Sequence, residues 1–367
     1  MNFKIPQALL LKSLQAVIGV VERKQNMPML NHILLSLTDE TLSITATDLE
    51  VELVAKTKTE TEATGEVTVP GRKLYDICRA LPNDADIHIN QTGEEKVNIK
   101  AGRSRFALAT LKAVDFPVVD EIAAQQTIKL PRKDLKRLLQ KTHFAMAQQD
   151  VRYYLNGLCL ETSGHTFRAV ATDGHRLALS EVALKEATDR NEQVILPRKG
   201  VMELERLLND EGDLVELSLG SNHARAQIDD IRFTSKLIDG RFPEYNRVLP
   251  KDCRHVITAD RGLLRQALQR AAILSNEKYR GVRLDLDENK ITIEANNPEQ
   301  EEAEEALEVQ YSGEKMEIGF NVNYLLDALS AVEEDQVELG LSDANSSCLI
   351  RAPGAETTRY VVMPMRL

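Results

Sequence analysis

The chain has 367 residues, more than one hydrophobic core usually serves, so we expect two or three domains. Hydrophobic residues make up 43% and charged residues 28% of the chain, which is ordinary for a globular protein and excludes disordered and fibrous classes. The formal net charge of −11 argues against nucleic-acid binding by the chain as a whole, because such binding depends on neutralising phosphates with Lys and Arg.

Six segments carry apolar residues three and four positions apart, which predicts helices, in chain order, at 6–17, 70–81, 131–141, 197–208, 259–270 and 320–331. Four of these windows open with a proline, which we place in the first helical turn: Pro6, Pro70, Pro131 and Pro197. Segments between the helices, such as KITIEA, alternate polar and apolar residues and predict antiparallel strands. Helices on one face of antiparallel sheet make an α+β architecture.

The whole pattern occurs three times. LSITATDLEVELV near residue 46 recurs as FRAVATDGHRLAL near 171 and as ITIEANNPEQEEA near 295, at spacings of 125 and 124 residues. The pairs Phe116-Pro117 and Phe242-Pro243 are echoed by Met363-Pro364. We therefore predict three tandem modules, each with two helices on antiparallel sheet, at 1–125, 126–253 and 254–367.

Positive charge is concentrated in the predicted helices. The six windows hold 15 Lys and Arg against 6 Asp and Glu, whereas the rest of the chain holds 31 against 51. One face of the protein can therefore be basic although the body is acidic. The alternative is that these basic residues are simply exposed to solvent on the helix faces. The sixth window has no basic residue, so not every helix can contact phosphate. The chain lacks any pattern for reading base edges, so contacts would be to the DNA backbone.

Two segments with opposite charge are predicted edge strands. Residues 100–108, KAGRSRFAL, read as one strand with Arg103 and Arg105 beside Phe106 and Leu108, and residues 299–305 of the third module form an acidic run. An acidic loop is the alternative for that run. Taken together, the segments favour head-to-tail pairing between two chains, with six modules closing a ring.

No run of about 18 apolar residues occurs, and the first residues are too broken by polar side chains for a secretory segment, so we expect a cytoplasmic protein without membrane contact. The four cysteines lie far apart, with neither a CxxC pair nor a neighbouring His cluster: Cys78, Cys159, Cys253 and Cys348. We expect reduced, mostly buried thiols, with no metal and no cofactor.

Several motifs, in this order and spacing, carry a resemblance to a known family: DVRYYLNG at 150–157, ATDGHRLA at 171–178, SKLIDGRFPEY at 235–245, ILSNEKYRGVRL at 273–284, NNPEQEEAEE at 296–305 and the terminal YVVMPMRL. Together with the triplicate module, they resemble the bacterial DNA sliding clamp, the beta subunit of DNA polymerase III holoenzyme, across essentially the whole chain.

The resemblance implies a ring-shaped homodimer that encircles duplex DNA without sequence preference and tethers the replicative polymerase, the clamp loader and repair proteins. It places DNA contacts on inner helices and on two loops, which we match to Arg23 with Lys24 and to Gln148 and Gln149 with Arg152, Tyr153 and Tyr154. The DNA-binding prediction is Lys24, Arg72, Lys73, Arg79, Arg132, Lys133, Arg137, Gln149, Arg152, Tyr153, Tyr154, Arg198 and Lys199. The predicted dimer interface is Arg103, Arg105, Phe106, Leu108, Ile273, Leu274, Glu299, Glu301, Glu302 and Glu305.

The family's docking cleft for partner peptides maps onto Leu155, Thr172, Gly174, His175, Arg176, Leu177, Pro243, Arg247, Val248, Val361, Met363, Pro364, Met365 and Arg366. Flexible Met side chains suit a pocket that accepts several peptides. The alternatives are that VVMPM is simply a buried last strand and that His175 is a turn residue. Asn345 stands where an apolar cleft wall is expected.

Two other function classes stay open. An enzyme would have to use the polar cluster Asp173, His175 and Cys159, but no GxSxG, HExxH, GxxxxGK[ST] or GxGxxG motif gives that cluster a chemical context, so we expect no catalytic site. A protein scaffold built from the same modules, without DNA, is the other alternative.

Overall fold

The computed structural model describes residues 1–21, 27–93, 95–119, 121–208 and 213–366. Six α-helices lie within these ranges: α1 Gln7–Val17, α2 Gly71–Ala80, α3 Arg132–Thr142, α4 Arg198–Leu207, α5 Arg261–Ala271 and α6 Val322–Ala331. Each predicted helix is confirmed to within two residues at either end. The described part of the chain has no helix long and apolar enough to span a membrane.

The strands, numbered along the chain, are β1 Asn2–Pro6, β2 His32–Thr38, β3 Thr41–Thr47, β4 Val51–Lys58, β5 Glu60–Ala63, β6 Gly65–Pro70, β7 Asp86–Thr92, β8 Lys96–Ala101, β9 Ser104–Ala109, β10 Ala124–Pro131, β11 Gly157–Ser163, β12 Thr166–Thr172, β13 Arg176–Ala183, β14 Glu192–Pro197, β15 Leu214–Gly220, β16 His223–Ile228, β17 Ile231–Lys236, β18 His255–Asp260, β19 Gly281–Asp287, β20 Lys290–Asn296, β21 Glu302–Glu308, β22 Met316–Asn321, β23 Gln336–Leu341, β24 Cys348–Arg351 and β25 Thr358–Val362.

Each helix follows directly on a strand, and the proline prediction needs correction there. Pro6 and Pro70 end β1 and β6 and cap the helices that follow, instead of lying in the first turn. Their φ of −58° fits both the strand end and the helix start. In the third module the same junction is made by side chains: Asp260 accepts a hydrogen bond from Leu263 N at 2.8 Å, and Asn321 accepts one from Asn323 N at 2.9 Å.

The chain forms two compact units, residues 1–135 with 199–237 and residues 136–198 with 238–367. The first unit contains a five-stranded sheet, β5-β1-β7-β8-β9, and an eight-stranded sheet, β10-β15-β16-β17-β4-β3-β2-β6. The second contains an eight-stranded sheet, β14-β11-β12-β13-β25-β24-β23-β18, and a four-stranded sheet, β21-β20-β19-β22. The described strand pairs are antiparallel, as predicted.

Both eight-stranded sheets join strands that lie far apart in the sequence. In the first unit β4 pairs with β17, and Glu52 lies opposite Thr234. In the second unit β13 pairs with β25, and Leu177 lies opposite Val361. The compact units therefore do not follow the sequence period, and the module boundaries at 125 and 253 stay a prediction.

The predicted strand at 100–108 is wrong in its extent. The chain turns at Gly102 and Arg103, so Lys100 belongs to one strand, β8, which ends at Ala101, and Arg105 belongs to the next, β9. Gly102 has a φ of +55°, a conformation that glycine adopts without strain and that permits the tight turn. The segment is therefore a hairpin, and only β9 lies at the sheet edge.

The four cysteines are free thiols, as expected. Cys78, Cys159 and Cys348 are buried, whereas Cys253 is half-buried. Burial raises the pKa of the Cys78 thiol to about 11.

Candidate functional site

An apolar cavity of about 210 Å³ lies in the second unit, beside the pairing of β13 with β25. The paired residues Leu177 and Val361 face it together. Its lining residues come from four separate chain segments: Arg152, Tyr154, Leu155, Thr172, Gly174, Arg176, Leu177, Pro243, Glu244, Tyr245, Val248, Val361 and Met363. Most of the predicted cleft residues are thereby brought together at one place.

The turn between β12 and β13 is held by its own polar side chains. The Asp173 carboxylate accepts hydrogen bonds from the backbone N–H groups of His175, at 2.9 Å, and Arg176, at 3.1 Å. The Thr172 hydroxyl accepts one from Gly174 N at 3.1 Å. Gly174 has a φ of +89°, and a Cβ atom at this position would lie 2.9 Å from Nη1 of Arg152. The positive φ favours glycine at this turn, because other residues adopt it only with strain.

The Arg176 guanidinium is bound by groups of its own unit. Its guanidinium pairs with Asp173 at 3.2 Å and with Asp327, and it donates a hydrogen bond to Phe144 O at 2.8 Å. The same group lies over the Tyr324 ring, 4.6 Å from the ring centre. Arg176 therefore shapes the cavity wall instead of offering a free charge.

His175 lies beside the cavity and not in its lining. Its ring stacks on Tyr324 with centroids 6.4 Å apart and an interplanar angle of 18°. Its backbone oxygen accepts a hydrogen bond from Met363 N at 2.9 Å, which fixes the start of the C-terminal segment. Sequence reasoning missed Tyr324, because nothing near it in the sequence connects α6 with the turn at 172–176.

The loop before β11 reaches the cavity as well. The Arg152 guanidinium bonds to the Asp150 carboxylate at 2.8 Å and donates to Asp173 O at 3.1 Å, so it lies across the turn. The hydrogen bonds that the side chain and the backbone N–H of Arg152 donate to the Asp150 carboxylate lower the pKa of Asp150 to about 2. Arg152 and Tyr154 were predicted as DNA contacts, but here they line the cavity, whereas Tyr153 is exposed.

Several predicted cleft residues lie outside this cavity. Met365 and Arg366 line a separate groove of about 800 Å³ with Asn276 and Tyr279. The remaining three predicted residues that do not line the cavity are Arg247, Pro364 and His175. Asn345 is exposed in a turn where its backbone N–H bonds to Asp343, and it does not line the cavity. Glu244 and Tyr245 line it without having been predicted.

The predicted DNA-binding residues fall into two groups. Arg132 is only 3% exposed and its guanidinium donates to Leu214 O at 3.1 Å and pairs with Asp229, so it has a structural role and we withdraw it as a phosphate contact. Arg72 donates twice to Val21 O, at 2.9 and 2.7 Å, and Lys199 pairs with Asp48. Arg198 is half-buried. Arg132, Arg72 and Lys199 therefore tie their helices to neighbouring segments.

The other predicted DNA contacts are on the surface. Lys73, Lys133 and Arg137 are exposed on α2 and α3, and Arg79 is exposed but paired with Asp76 at 3.3 Å. Gln149 is exposed as well. Arg23 and Lys24 lie outside the described residues. The exposed cations remain candidates for contact with a polyanion.

The predicted interface strands lie at the edges of their own sheets. β9 ends the five-stranded sheet and exposes 37% of Phe106, but Leu108 is buried within its unit. β21 ends the four-stranded sheet, and Ile273 close by is 75% exposed. Glu305 is already bound within its unit, since Arg270 donates to both of its oxygens at 2.8 and 2.7 Å. The remaining predicted interface residues, all on the surface or half-buried, are Arg103, Arg105, Leu274, Glu299, Glu301 and Glu302.

Comparison with known proteins covers the whole chain. The models of the N-terminal, central and C-terminal domains of the DNA polymerase III beta subunit match residues 1–120, 129–244 and 246–366. The beta sliding clamps of Pseudomonas putida and Escherichia coli are 55% and 50% identical, each over 100% of both chains.

Solved structures agree with this match. The DNA polymerase III subunit beta of Pseudomonas aeruginosa superposes with a TM-score of 0.98 at 52% identity, and a sliding clamp of the same species bound to griselimycin superposes with 0.96 at 52% identity. The beta subunit of Caulobacter crescentus has a TM-score of 0.95 at 40% identity, and all three cover 100% of both chains. The chain belongs to the family of DNA polymerase III beta subunits, the bacterial beta sliding clamps.

Proposed function

We propose that this chain is the processivity factor of a replicative DNA polymerase. Two copies form a ring around duplex DNA, slide along it without sequence preference, and hold the polymerase through the apolar cavity. The observation that carries this function is the match of all three beta-subunit domains over the length of the chain. The ring acts by topology, because closure around the duplex prevents escape while phosphate contacts exchange freely. It acts in the cytoplasm, and its three modules are those at 1–125, 126–253 and 254–367.

The internal repeat supports the dimer. An Arg followed by an aromatic residue occurs in three equivalent strands, as Arg105-Phe106, Arg232-Phe233 and Arg359-Tyr360. Phe233 and Tyr360 are 0% and 1% exposed, and their strands, β17 and β25, each have a strand on either side. Phe106 is 37% exposed on β9, which has one neighbouring strand in the described part of the chain. β9 is therefore the copy that lacks its second neighbour.

The strand equivalent to β4 and β13 in the third module is β21, so β21 of a second copy is the neighbour we assign to β9. The registers of the two eight-stranded sheets then predict the pairing. Glu302 takes the position of Leu177 and Glu52 and lies opposite Ala107 of the second chain. Glu304 lies opposite Arg105, which is an attractive pair across antiparallel strands.

The exposed cations of α2 and α3 supply the DNA contacts. Lys73, Lys133 and Arg137 are available on the surface, and Gln149 and Tyr153 are exposed on the loop before β11. Side chains of this kind bind backbone phosphates and do not recognise a particular base, which suits a protein that must move along DNA. Arg72 and Arg132, which bond to neighbouring segments, support α2 and α3.

The cavity supplies the partner site. Its walls are mostly apolar, and Met363, 41% exposed, has a flexible side chain at the mouth. The griselimycin-bound clamp of Pseudomonas aeruginosa is 52% identical to this chain, so we assign the same ligand to this protein and to this cavity. A polymerase held here gains a high effective concentration at the primer end.

The chain is proposed to be non-catalytic. The Asp173 carboxylate is occupied by backbone N–H groups, the His175 ring stacks on Tyr324, and Cys159 is fully buried. Burial raises the pKa of the Cys159 thiol, which disfavours the reactive thiolate. These three residues therefore lack the arrangement that a nucleophile and its base need.

Retention on DNA tests the proposed function. Loaded onto a nicked circular duplex, the protein should stay bound through gel filtration and leave when the circle is linearised, and it should lengthen the products of its polymerase. A matched variant, Phe106→Glu, should be monomeric and fail both assays while keeping its fold. Loss from the intact circle at the same rate as from the linear form would instead favour a scaffold that does not encircle DNA.

A further inference from the structure

Tyr245, which lines the cavity, contacts apolar side chains with its ring and charged side chains with its hydroxyl. Tyr245 is 3% exposed, and its ring packs in a buried cluster with Cys159, Val170 and Leu179. Its hydroxyl leaves this cluster and meets charged groups: it accepts a hydrogen bond from Nη1 of Arg168 at 2.9 Å and donates one to the Glu161 carboxylate at 3.0 Å. Burial raises the pKa of Tyr245 to about 12, so the hydroxyl keeps its proton.

These charges form a row across three neighbouring strands. Glu161 on β11 lies opposite Arg168 on β12, which lies opposite Glu181 on β13. Arg168 bonds to Glu161 at 2.9 Å and to Glu181 at 2.7 Å, and the three side chains are each about one-fifth exposed. The next row on the same sheet face is the apolar set under the tyrosine ring, because side chains two residues apart share a face. Tyr245 therefore spans an apolar row and a charged row.

The position of Tyr245 determines part of the cavity wall. Its backbone N–H donates to Pro243 O at 2.8 Å, and its carbonyl oxygen accepts from Val248 N at 3.0 Å. Pro243 and Val248 both line the cavity. A shift of the tyrosine across the sheet would move both residues. Arg168 does not line the cavity, but it bonds to the lining residue Tyr245, which offers a direct link from Arg168 to the cavity wall.

The internal repeat provides a comparison inside the same molecule. In the first module the strand register places Ser36, Ser43 and Lys56 at the positions of Glu161, Arg168 and Glu181, and Val119 corresponds to Tyr245. In the third module the three strand positions are Asp285, Thr292 and Ala306. The row and the tyrosine therefore occur together only in the module that forms the cavity, although all three share the strand pairing.

We propose that Arg168, bridged between Glu161 and Glu181, is a positioning residue for the partner cleft: it anchors the Tyr245 hydroxyl and so holds Pro243 and Val248 at the spacing that accepts a ligand. This inference rests on the proposed role of the cavity. Ligand affinity then depends on Glu161, Arg168 and Glu181, three charged side chains that do not line the cavity.

Griselimycin binding to the full-length dimer, measured by isothermal titration calorimetry, tests the inference. Arg168→Gln and Tyr245→Phe should each weaken binding roughly threefold to tenfold, the effect of losing one anchoring hydrogen bond. The double variant should be no weaker than the worse single variant, because both changes remove the same link. Arg168→Lys, which keeps the charge and loses the planar fork, should restore binding only in part.

Arg351→Gln is the matched control. Arg351 also pairs with a carboxylate on the neighbouring strand, Glu338 at 3.2 Å, and with Glu356, but it does not line the cavity and has no tyrosine above it. This variant should match the thermal stability loss of Arg168→Gln and bind griselimycin as the wild type does.

Two results would overturn the inference alone. One is unchanged binding in Arg168→Gln, and the other is equal weakening in Arg168→Gln and Arg351→Gln, which would indicate a general loosening of the sheet. A wild-type protein that does not bind griselimycin would overturn the cleft assignment itself, and the positioning role with it.

Discussion

The two eight-stranded sheets have equivalent strand order and register, but they carry different side chains at the junction, which is the strand pair that joins the two halves of each sheet. This pair is β4 with β17 in the first unit and β13 with β25 in the second. In the second unit Leu177 lies opposite Val361 and both line the apolar cavity. In the first unit the equivalent pair is Glu52 and Thr234. Glu52 is 1% exposed, and its carboxylate accepts the Val119 N–H at 2.7 Å and lies 3.5 Å from the Arg232 guanidinium.

The difference shows that a shared backbone does not by itself make a binding site. A buried carboxylate needs compensating partners, and in the first unit the loop residue Val119 and the strand residue Arg232 supply them. In the second unit apolar side chains occupy the equivalent strand positions, and Tyr245 stands where Val119 does. A few side chains therefore decide which of the two strand pairs borders an apolar cavity.

The largest effect should come from moving the carboxylate into the second unit. Leu177→Glu should weaken griselimycin binding about 100-fold or more, because a charge in an apolar pocket opposes an apolar ligand. The fold should survive, since Arg359 occupies the position of Arg232 and can pair with the new carboxylate. Calorimetric titration with circular dichroism as the folding check measures both. Leu177→Val, which stays apolar, is the control, and binding of Leu177→Glu within threefold of wild type would contradict the comparison.

Removing the carboxylate from the first unit should reduce stability without touching the cleft. Glu52→Ala should lower the free energy of unfolding by about 1–3 kcal/mol, because the Val119 N–H loses its buried acceptor and the Arg232 guanidinium loses its paired carboxylate. Urea denaturation measures this change. Glu52→Gln should cost less, since its amide oxygen can still accept from Val119. Altered griselimycin affinity in either variant would show that the two junctions are not independent.

A smaller change at the same strand pair should have a smaller effect on ligand binding. Val361→Thr introduces the residue of the first unit into the cavity wall and should weaken griselimycin binding roughly threefold to tenfold, because it buries a hydroxyl in an apolar wall. The reverse exchange, Thr234→Val, alters the first unit only and should leave binding unchanged. Equal affinities for Val361→Thr and wild type in calorimetric titration would mean that this wall does not contact the ligand.

The smallest effect should be a pH dependence at Glu52. Burial raises the pKa of Glu52 above its usual 4.5 in the folded state, so the fold binds the proton more tightly than the unfolded chain does. The stability of wild type relative to Glu52→Gln should therefore be greatest below pH 4.5 and fall as pH rises through the raised pKa, by at most about 1.4 kcal/mol per pH unit. Urea titrations from pH 4 upward measure the difference, and a difference that rises with pH would have the wrong sign.

The amino-acid sequence by itself determined the helices and the threefold repeat, but it placed the two edge strands only approximately, since β9 begins at Ser104 and β21 at Glu302. Helix periodicity and strand alternation are local properties, so α1 to α6 could be placed within two residues of their observed bounds. The family resemblance of several motifs pointed to the cleft, and nine of its fourteen predicted residues line one cavity. The hairpin at Gly102 was missed because a turn of two residues leaves the charge pattern of the strand almost unbroken.

Only the tertiary structure decided which side chains meet. Periodicity tells which face of a strand a residue occupies, but not which distant strand lies beside it, and the pairing of Leu177 with Val361 joins segments from different modules. For the same reason the roles of Tyr245 and Tyr324 at the cleft, and the burial of Arg132 beside Asp229, could not be read from the sequence. Charge and hydrophobicity are properties of single residues, whereas burial and hydrogen bonding depend on neighbours that long-range packing brings together.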